Sequence, residues 1–307
     1  MSSILTNASA MTALKSLQMT NKALEQTQAR ISTGYRVAGA SDNAAYWSIA
    51  TTMRSDNKAL LTVQDALGLG ASKIDIAYTA TNSAIEVVDE IKSKLVAARE
   101  PGVDKTKVQA EIKQLQSQLV GIASSASFSG ENWLSVDSGD PDYSATKQIV
   151  ASFARASDGT VSIGTITINV GSSKLFDAND QSGILDSTFT TTGAGAVTVS
   201  VSDLDIAAAG LDDADIGDLI SGVDAALQTM TTSASDLGAA KKRISLQTDF
   251  VNDLMDAIER GVGTLVDANM NEESTRLQAL QVQQQLGIQG LSIANASVQG
   301  ILSLFKG

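Results

Sequence analysis

The sequence contains no cysteine and no histidine. Without cysteine there is no disulfide framework and no thiolate chemistry, so a chain meeting an oxidising exterior must be held by packing or assembly. Without histidine the commonest general base and the commonest metal ligand are gone. Two prolines and 4% aromatics in 307 residues argue against one compact globular core and suit long helices. Basic residues are missing from the whole interval between Lys174 and Lys241, which holds eleven aspartates and accounts for most of the net charge of −12. Nucleic acid and anionic membrane are therefore poor partners. The interval reads as a solvated acidic surface. Calcium binding is the lesser alternative, since no Asp-x-Asp-x-Asp-Gly loop with a distal Glu is present.

Formal charge is also missing from the last stretch, Leu277–Phe305. Its seam is Leu277, Leu280, Gln284, Gly287, Leu291, Ala294, Val298, Ile301 and Phe305, spaced by three and four as on one side of a helix. A water-facing helix sets charges on its outer face, and this one does not. At about 1.5 Å per residue it would be roughly 43 Å long. Its seven glutamines make membrane insertion unfavourable. The pattern predicts a helix that packs against copies of itself. No stretch reads as a transmembrane helix, and Met1–Thr20 lacks the basic and apolar regions of a conventional secretory signal.

A second weakly charged seam runs near the other end: Ala10, Leu14, Leu17, Asn21, Leu24, Gln28, Ile31. Ser32–Asn43, with Gly34 and Gly39, breaks it, and Ser41 or Asp42 can cap a following helix. From Leu60 the three-four step holds through Val63, Leu67, Gly70, Ile74, Ala77, Thr81, Ala84, Val88, Ile91, Leu95 and Ala98, which predicts a long coiled-coil-like helix ended by Pro101-Gly102. A shorter helix follows Asp104, with Val108, Ile112, Leu115, Leu119 and Ile122 on one side. Residues 141 to about 205 turn to Gly, Ser, Thr and Val. Ile149, Ala151 and Phe153 alternate as a strand, Asp158-Gly159 suits a two-residue hairpin turn, and a phase flip at Gly164 suggests a bulge before Ile166, Ile168 and Val170. Val197, Val199 and Val201 predict a further strand. A long helical seam resumes at Ile216 and continues to Leu265, with Asp212, Asp213 and Asp215 at its start. Asn269 to Glu273 interrupts it.

These residues carry a resemblance to bacterial flagellin. The family pattern Leu–x2–Thr–x2–Arg–x–Ser–x–Gly–x–Arg is present as Leu24, Thr27, Arg30, Ser32, Gly34 and Arg36. Ala-x-Asp-Asp-Ala-Ala is present as Ala40–Ala45, with Asn43 for the second Asp, and Tyr46-Trp47 stand where the family has a small residue. Phe128-Ser129-Gly130 is similar to the family's Phe-Asn-Gly turn. Ala294-Asn295, Gln299, Leu302 and Leu304 resemble its C-terminal motif. The likeness covers roughly 1–138 and 220–307; residues 141–215 match no family pattern.

The resemblance implies a mainly α fold of long antiparallel coiled-coil-like helices from both chain ends, with a small β-rich insertion in the middle. Residues 1–43 with 268–307 would form an inner-tube domain, 44–140 with 216–267 a helical bundle, and 141–215 an outer insertion. It implies a structural subunit of the bacterial flagellar filament, transmitting motor torque as a helical propeller. Such a subunit is secreted unfolded by a type III export apparatus with a chaperone, and polymerises extracellularly. Its partners would be other copies, the flagellar cap and the hook-associated proteins. Terminal helices in the family order on polymerisation. Subunit packing would then fall to Leu14, Leu17, Leu24, Arg30, Ile31, Arg36, Asp42 and Asn43 near the start, and to Leu280, Leu291, Asn295, Val298, Ile301, Leu304 and Phe305 near the end. No catalytic, cofactor or metal residue is implied.

Three other classes are weighed against this. A hook–filament junction protein shares the architecture, but its family carries proline after the Asp pair, where Ala44-Ala45 stand here. An enzyme would need more than the Asp212/Asp213 pair, since the zinc peptidase insert of some flagellins requires His-Glu-x-x-His. The family segment read by host receptors is a basic-Glu-Leu run; Lys92-Ser93-Lys94-Leu95-Val96 lacks the Glu, and weak receptor activation is expected.

Overall fold

The computed structural model describes the backbone of residues 7–304. Five helices and eight strands follow in order: α1 Ala8–Thr33, α2 Ala44–Ala97, α3 Lys105–Ser125, β1 Ser127–Phe128, β2 Glu131–Asn132, β3 Ser135–Val136, β4 Thr146–Arg155, β5 Val161–Asn169, β6 Phe176–Asp177, β7 Phe189–Thr190, β8 Thr198–Val199, α4 Asp213–Val266 and α5 Met270–Leu304. The chain divides into two units, one from 1–58 and 255–307 and one from 59–254. The mainly helical fold with a small central β region is the one the seams predict.

In the unit 59–254, α2 and α4 run antiparallel. Gln64 donates to Asn252 at 2.7 Å, Lys241 pairs with Asp75 at 2.7 Å, and Lys92 pairs with Asp224. From 64 to 75 to 92 on one helix, the partners step back by the same intervals on the other. The α2 seam is buried at every position from Leu60 to Ala98, Thr81 included, its hydroxyl donating to the Ala77 carbonyl at 2.8 Å. Gly70 has a packing reason: a Cβ there would meet Ile149 Cδ1 at 2.5 Å. On α4 the expected seam is buried at Ile216, Val223, Met230, Ala234, Leu237, Ile244 and Val251, and Leu219 and Ala226 widen the face near its start. Lys241 is the exception. It stands exposed and reaches Asp75.

Helix α3 is held at Asp104, whose carboxylate accepts from Thr106 N–H, and buries Ile112, Gln116, Leu119 and Ala123. Two glutamines seven residues apart bind the returning chain. Gln109 donates to the Leu204 carbonyl and accepts from Ile206 N–H, while Gln116 donates to Val201 and Leu204 carbonyls. The β1–β2 turn at Ser129-Gly130 has positive φ at both residues (53° and 82°), the demand of a type I′ hairpin. Asn132 then donates to the Ala123 carbonyl at 2.7 Å and closes the end of α3.

The β region is four two-stranded sheets rather than one. Strands β4 and β5 form the expected hairpin, with three corrections to the sequence expectation. The turn is a three-residue loop, since Gly159 N–H donates to Ala156 O and Ala156 N–H to Thr160 O, with Gly159 at φ 88°. The bulge lies on β4, between Val150 and Ser152, on the strand facing Gly164 rather than at Gly164 itself. The phase of β5 does not flip either: Val161 and Ile163 are exposed and Ile166 and Ile168 are buried on one regular alternation, so the apolar pair simply sits on the outer face. The third expected strand shrinks to Thr198–Val199, paired with β7, with Val201 buried just beyond it.

The acidic interval is only partly a solvated surface, which corrects the sequence expectation. Asp177 is buried and accepts from Ser138 N–H, Ser138 Oγ, Asn179 N–H and Lys174 Nζ. Burial pushes its carboxyl up, but the Lys174 ion pair and these donors outweigh it and hold it far below the usual range. Asp215 is likewise buried, accepting from Gly195 N–H at 3.0 Å and Asp212 N–H at 3.1 Å. Both carboxylates thus fasten loop N–H groups, Asp177 with Lys174 beside it and Asp215 without a cation partner among the bonds named.

In the unit from 1–58 and 255–307, α1 and α5 pair antiparallel. The core here is small: Val37, Ala50, Val262 and Val266, with Met53, Ile258 and Leu265 against them. The break before α5 lies at Asp267–Asn269, earlier than the expected Asn269–Glu273. Asn269 Oδ1 accepts from Asn271 and Glu272 N–H, so the helix starts at Met270 and Glu273 sits in its first turn.

Candidate subunit-packing faces

The motif at 34–43 builds a corner. Gly34 ends α1 at φ 76°, its N–H donating to Arg30 O at 2.8 Å, a left-handed cap that a residue with a Cβ would adopt at a cost. Ala268 N–H donates to Gly34 O, and the Arg36 and Val37 N–H groups donate to Val266 O. The Arg36 guanidinium donates to Leu265 O at 3.0 Å, placing a cation on the negative end of α4. Asp42 Oδ2 accepts from Ala38 and Gly39 N–H at 2.9 and 3.1 Å. The cap of α2 is Asn43, not Ser41 or Asp42: its Oδ1 accepts from Tyr46 N–H at 3.1 Å. The side chains of Arg36, Asp42 and Asn43 are therefore engaged within the chain.

The α1–α5 seam begins at Arg30, which donates to Glu273 Oε1 at 3.0 Å; Glu273 is buried, and Arg276 lies 3.6 Å from the same oxygen. Asn21 and Gln284 bond at 2.8 Å, Leu17 lies against Gly287, and Asn7 donates to the Ala294 carbonyl at 2.9 Å. A Cβ at Gly287 would come within 3.2 Å of Leu17 Cδ1, so glycine there lets the helices approach. Leu17, Leu24, Ile31, Leu280 and Leu291 are half-buried along this seam. Leu14 and Gln28 leave it, displaced by Ala13 and the buried Thr27, because the true α1 stripe steps through 10, 13, 17, 20, 24 and 27. Leu14 is exposed, as is Asn295. Val298, Ile301 and Leu304 lie on α5 with side chains outside the described residues, and Phe305 is outside them altogether.

A second apolar stripe occupies the opposite side of α5. Val282, Leu286 and Ile293 are exposed, Ile293 at 71%. At about 100° per residue they share one side, roughly 160° from the seam that meets α1. Sequence reasoning missed this stripe because the seam alone satisfied the three-four template. Its signal was present in the 282, 286, 293 spacing within the same charge-free stretch.

The other charged candidates have ordinary structural work. Asp212 and Asp215 bond each other's N–H reciprocally at the start of α4, Asp213 pairs with Arg99 at 3.0 Å, and Asp218 accepts from Thr192. Burial pushes the Asp215 carboxyl up, but hydrogen bonds from the Thr191 hydroxyl and the Asp212 and Gly195 N–H groups outweigh it and hold it at about 2. Burial likewise acts on Glu131, where ion pairs with Lys147 and Lys73 win and hold it at about 2. Among the described residues no group of three or more acidic side chains could hold a metal ion, and no helix is long and apolar enough to cross a membrane. In the Lys92–Val96 run, Lys94 pairs with Glu111 and Leu95 is buried.

Comparison with known proteins extends this geometry to a family. A bacterial flagellin N-terminal helical region matches residues 4–138, and a bacterial flagellin C-terminal helical region matches residues 220–305. The chain is 53% identical over 323 residues to Flagellin C of Rhizobium meliloti (strain 1021), with all of both chains covered. It is 48% identical over 308 residues to a flagellin of Brucella melitensis biotype 1, again over all of both chains. Flagellin A of Rhizobium meliloti is 45% identical over 400 residues, with the same full coverage.

Proposed function

The chain belongs to the bacterial flagellin family, and from that membership we propose how it assembles. It is the structural subunit of the extracellular flagellar filament, polymerises with other subunits and is not an enzyme. The full-length flagellin relatives favour this over the hook–filament junction alternative. The packing element between copies is the α1–α5 pair, with residues 1–43 and 268–307 as the inner tube.

The observation that carries this is the charge-free part of α5 from Leu277 onward, with apolar stripes on two opposite sides, only one of them covered by α1. Ordering a residue's backbone costs about 1–2 kcal/mol. Within one chain the described part of the α1–α5 pair fully buries only Thr27 and Glu273, so the pair alone offsets little of that cost. Burying the exposed remainder of Val282, Leu286 and Ile293 against a neighbour would add about 1–2 kcal/mol each. Leu14 and Asn295, exposed in the single chain, fall to intersubunit contacts, as do Val298, Ile301, Leu304 and Phe305. Leu17, Leu24, Ile31, Leu280 and Leu291 hold the pair together, while Arg30, Arg36, Asp42 and Asn43 set its register and its corner. Torque transmission, export through a type III apparatus with a chaperone, and contacts with the cap and hook-associated proteins complete the proposed role.

Deleting Leu291–Gly307 and sedimenting under polymerising conditions tests the assembly element. The truncated chain is expected to stay in the supernatant; pelleting as efficient as that of the full chain refutes the role of α5.

A further inference from the structure

We propose that the outward face of α4 at Arg243, Leu246 and Phe250 docks on the outward face of α2 at Leu61, Asp65 and Leu69 of a second copy of the chain. The proposal rests on the assembly role given above and adds to it a contact made by the unit 59–254, in which both faces lie. Leu246 and Phe250 are more than half exposed, and Leu61 and Leu69 are about half exposed. Each set shares one side of its helix. At about 100° per residue, Leu61, Asp65 and Leu69 fall within about 80° of one another, and about 100–180° from the buried Leu60, Val63 and Leu67. Leu246 and Phe250 are about 40° apart and about 100–160° from the buried Ile244 and Val251, with Arg243 within about 60° of both.

The two faces are complementary in charge. Asp65 and Arg243 are exposed, and among the described residues no ion pair holds either, although Lys241, two residues away, is held by Asp75. They cannot pair within one chain. Lys241 faces Asp75 and Gln64 faces Asn252, so Arg243 and Asp65 stand about 12 Å apart along the helix axis. A second copy removes that offset. Laid antiparallel with Arg243 on Asp65, α4 of one copy brings Leu246 and Phe250 to either side of Leu61 of the next, and the exposed Ala239 against Leu69. Asp249, the nearest acid on α4, then lies about 9 Å along the helix from Asp65. Copies that share one orientation present α4 antiparallel to a neighbour's α2, as the two helices already run within the chain. Two unlike faces on each copy also suit a growing polymer, since a self-complementary face closes into a dimer and stops.

Charge reversal tests the contact without touching the core. Asp65→Lys and Arg243→Glu, each alone, should raise the critical concentration for polymerisation by about threefold to fivefold, and the two together should bring it back to within about twofold of the native chain. Phe250→Ala should raise it by about tenfold. All four variants replace exposed side chains, so urea unfolding of the free chain should match that of the native protein. Unchanged critical concentrations for the single variants, or a double variant that assembles no better than either single one, overturn the contact while leaving the filament role intact. A native chain that never pellets overturns both.

Discussion

Among the described residues, 36 buried hydrophobic side chains lie in the unit 59–254 and four in the unit from 1–58 and 255–307. Large exposed hydrophobics run the other way, nine against twelve, although the second unit is little more than half the size of the first. The first unit closes on itself: α2, α3, α4 and the β region supply every layer of its core. The second has the helices but not the core. A protein that must stay a separate chain before it polymerises, and hold firmly afterwards, can divide its apolar surface in this way. One region carries the stability of the subunit, and the other keeps apolar surface in reserve for its neighbours.

The comparison breaks most visibly at Leu67. It is fully buried, and Leu67→Ala should cost about 2–5 kcal/mol of subunit stability, read by urea unfolding of the free chain. Next is Gly183→Ala. A Cβ there would stand 2.3 Å from the Leu175 carbonyl oxygen, backbone that cannot swing away, so a loss of about 1–3 kcal/mol is expected from the same measurement.

The pH dependence sharpens the contrast. Glu131 and Asp215 are held at about 2, below the roughly 4 of an unfolded carboxyl. Their folded-state pKa values are lowered, so the stability they contribute is present above about pH 4 and is lost as pH falls toward 2. The thermal midpoint of the free chain should fall across that window, and Glu131→Gln should flatten part of the fall. The smallest effect is the most informative. Ile293→Ala should change the unfolding of the free chain by less than about 0.5 kcal/mol, while measurably raising the critical concentration for polymerisation by light scattering.

Much of the fold was legible because its helices are periodic. Every position of the Leu60–Ala98 seam is where the three-four step puts it, and the α5 seam matches through Ala294. The β region was less legible because apolar alternation does not say which face is covered. The apolar phase changes at Gly164 but the covered face does not, since Val161 and Ile163 stand on the surface, and the bulge signalled at Gly164 lies on the facing strand, where Ser152 pairs with that glycine. Gln109 and Gln116 look like a polar helix face, and only the returning chain at 201–206 shows what they hold. On α1, Leu14 was drawn into the seam by its size, whereas Ala13 and Thr27 occupy it, because close helix approach favours small side chains. Of the packing faces, the covered side of α5 could be read from spacing. The uncovered stripe needed the partner helices to be placed first.

Amide hydrogen exchange of the free chain and of the filament, followed peptide by peptide, tests the division between the two units most directly. The expected result is strong protection of the buried α2 and α4 segments in both states, and protection of α1 and of Met270–Ala296 gained only in the filament. Equal protection of α1 and α5 in the free chain would contradict it, since those helices would then need no neighbour to hold them.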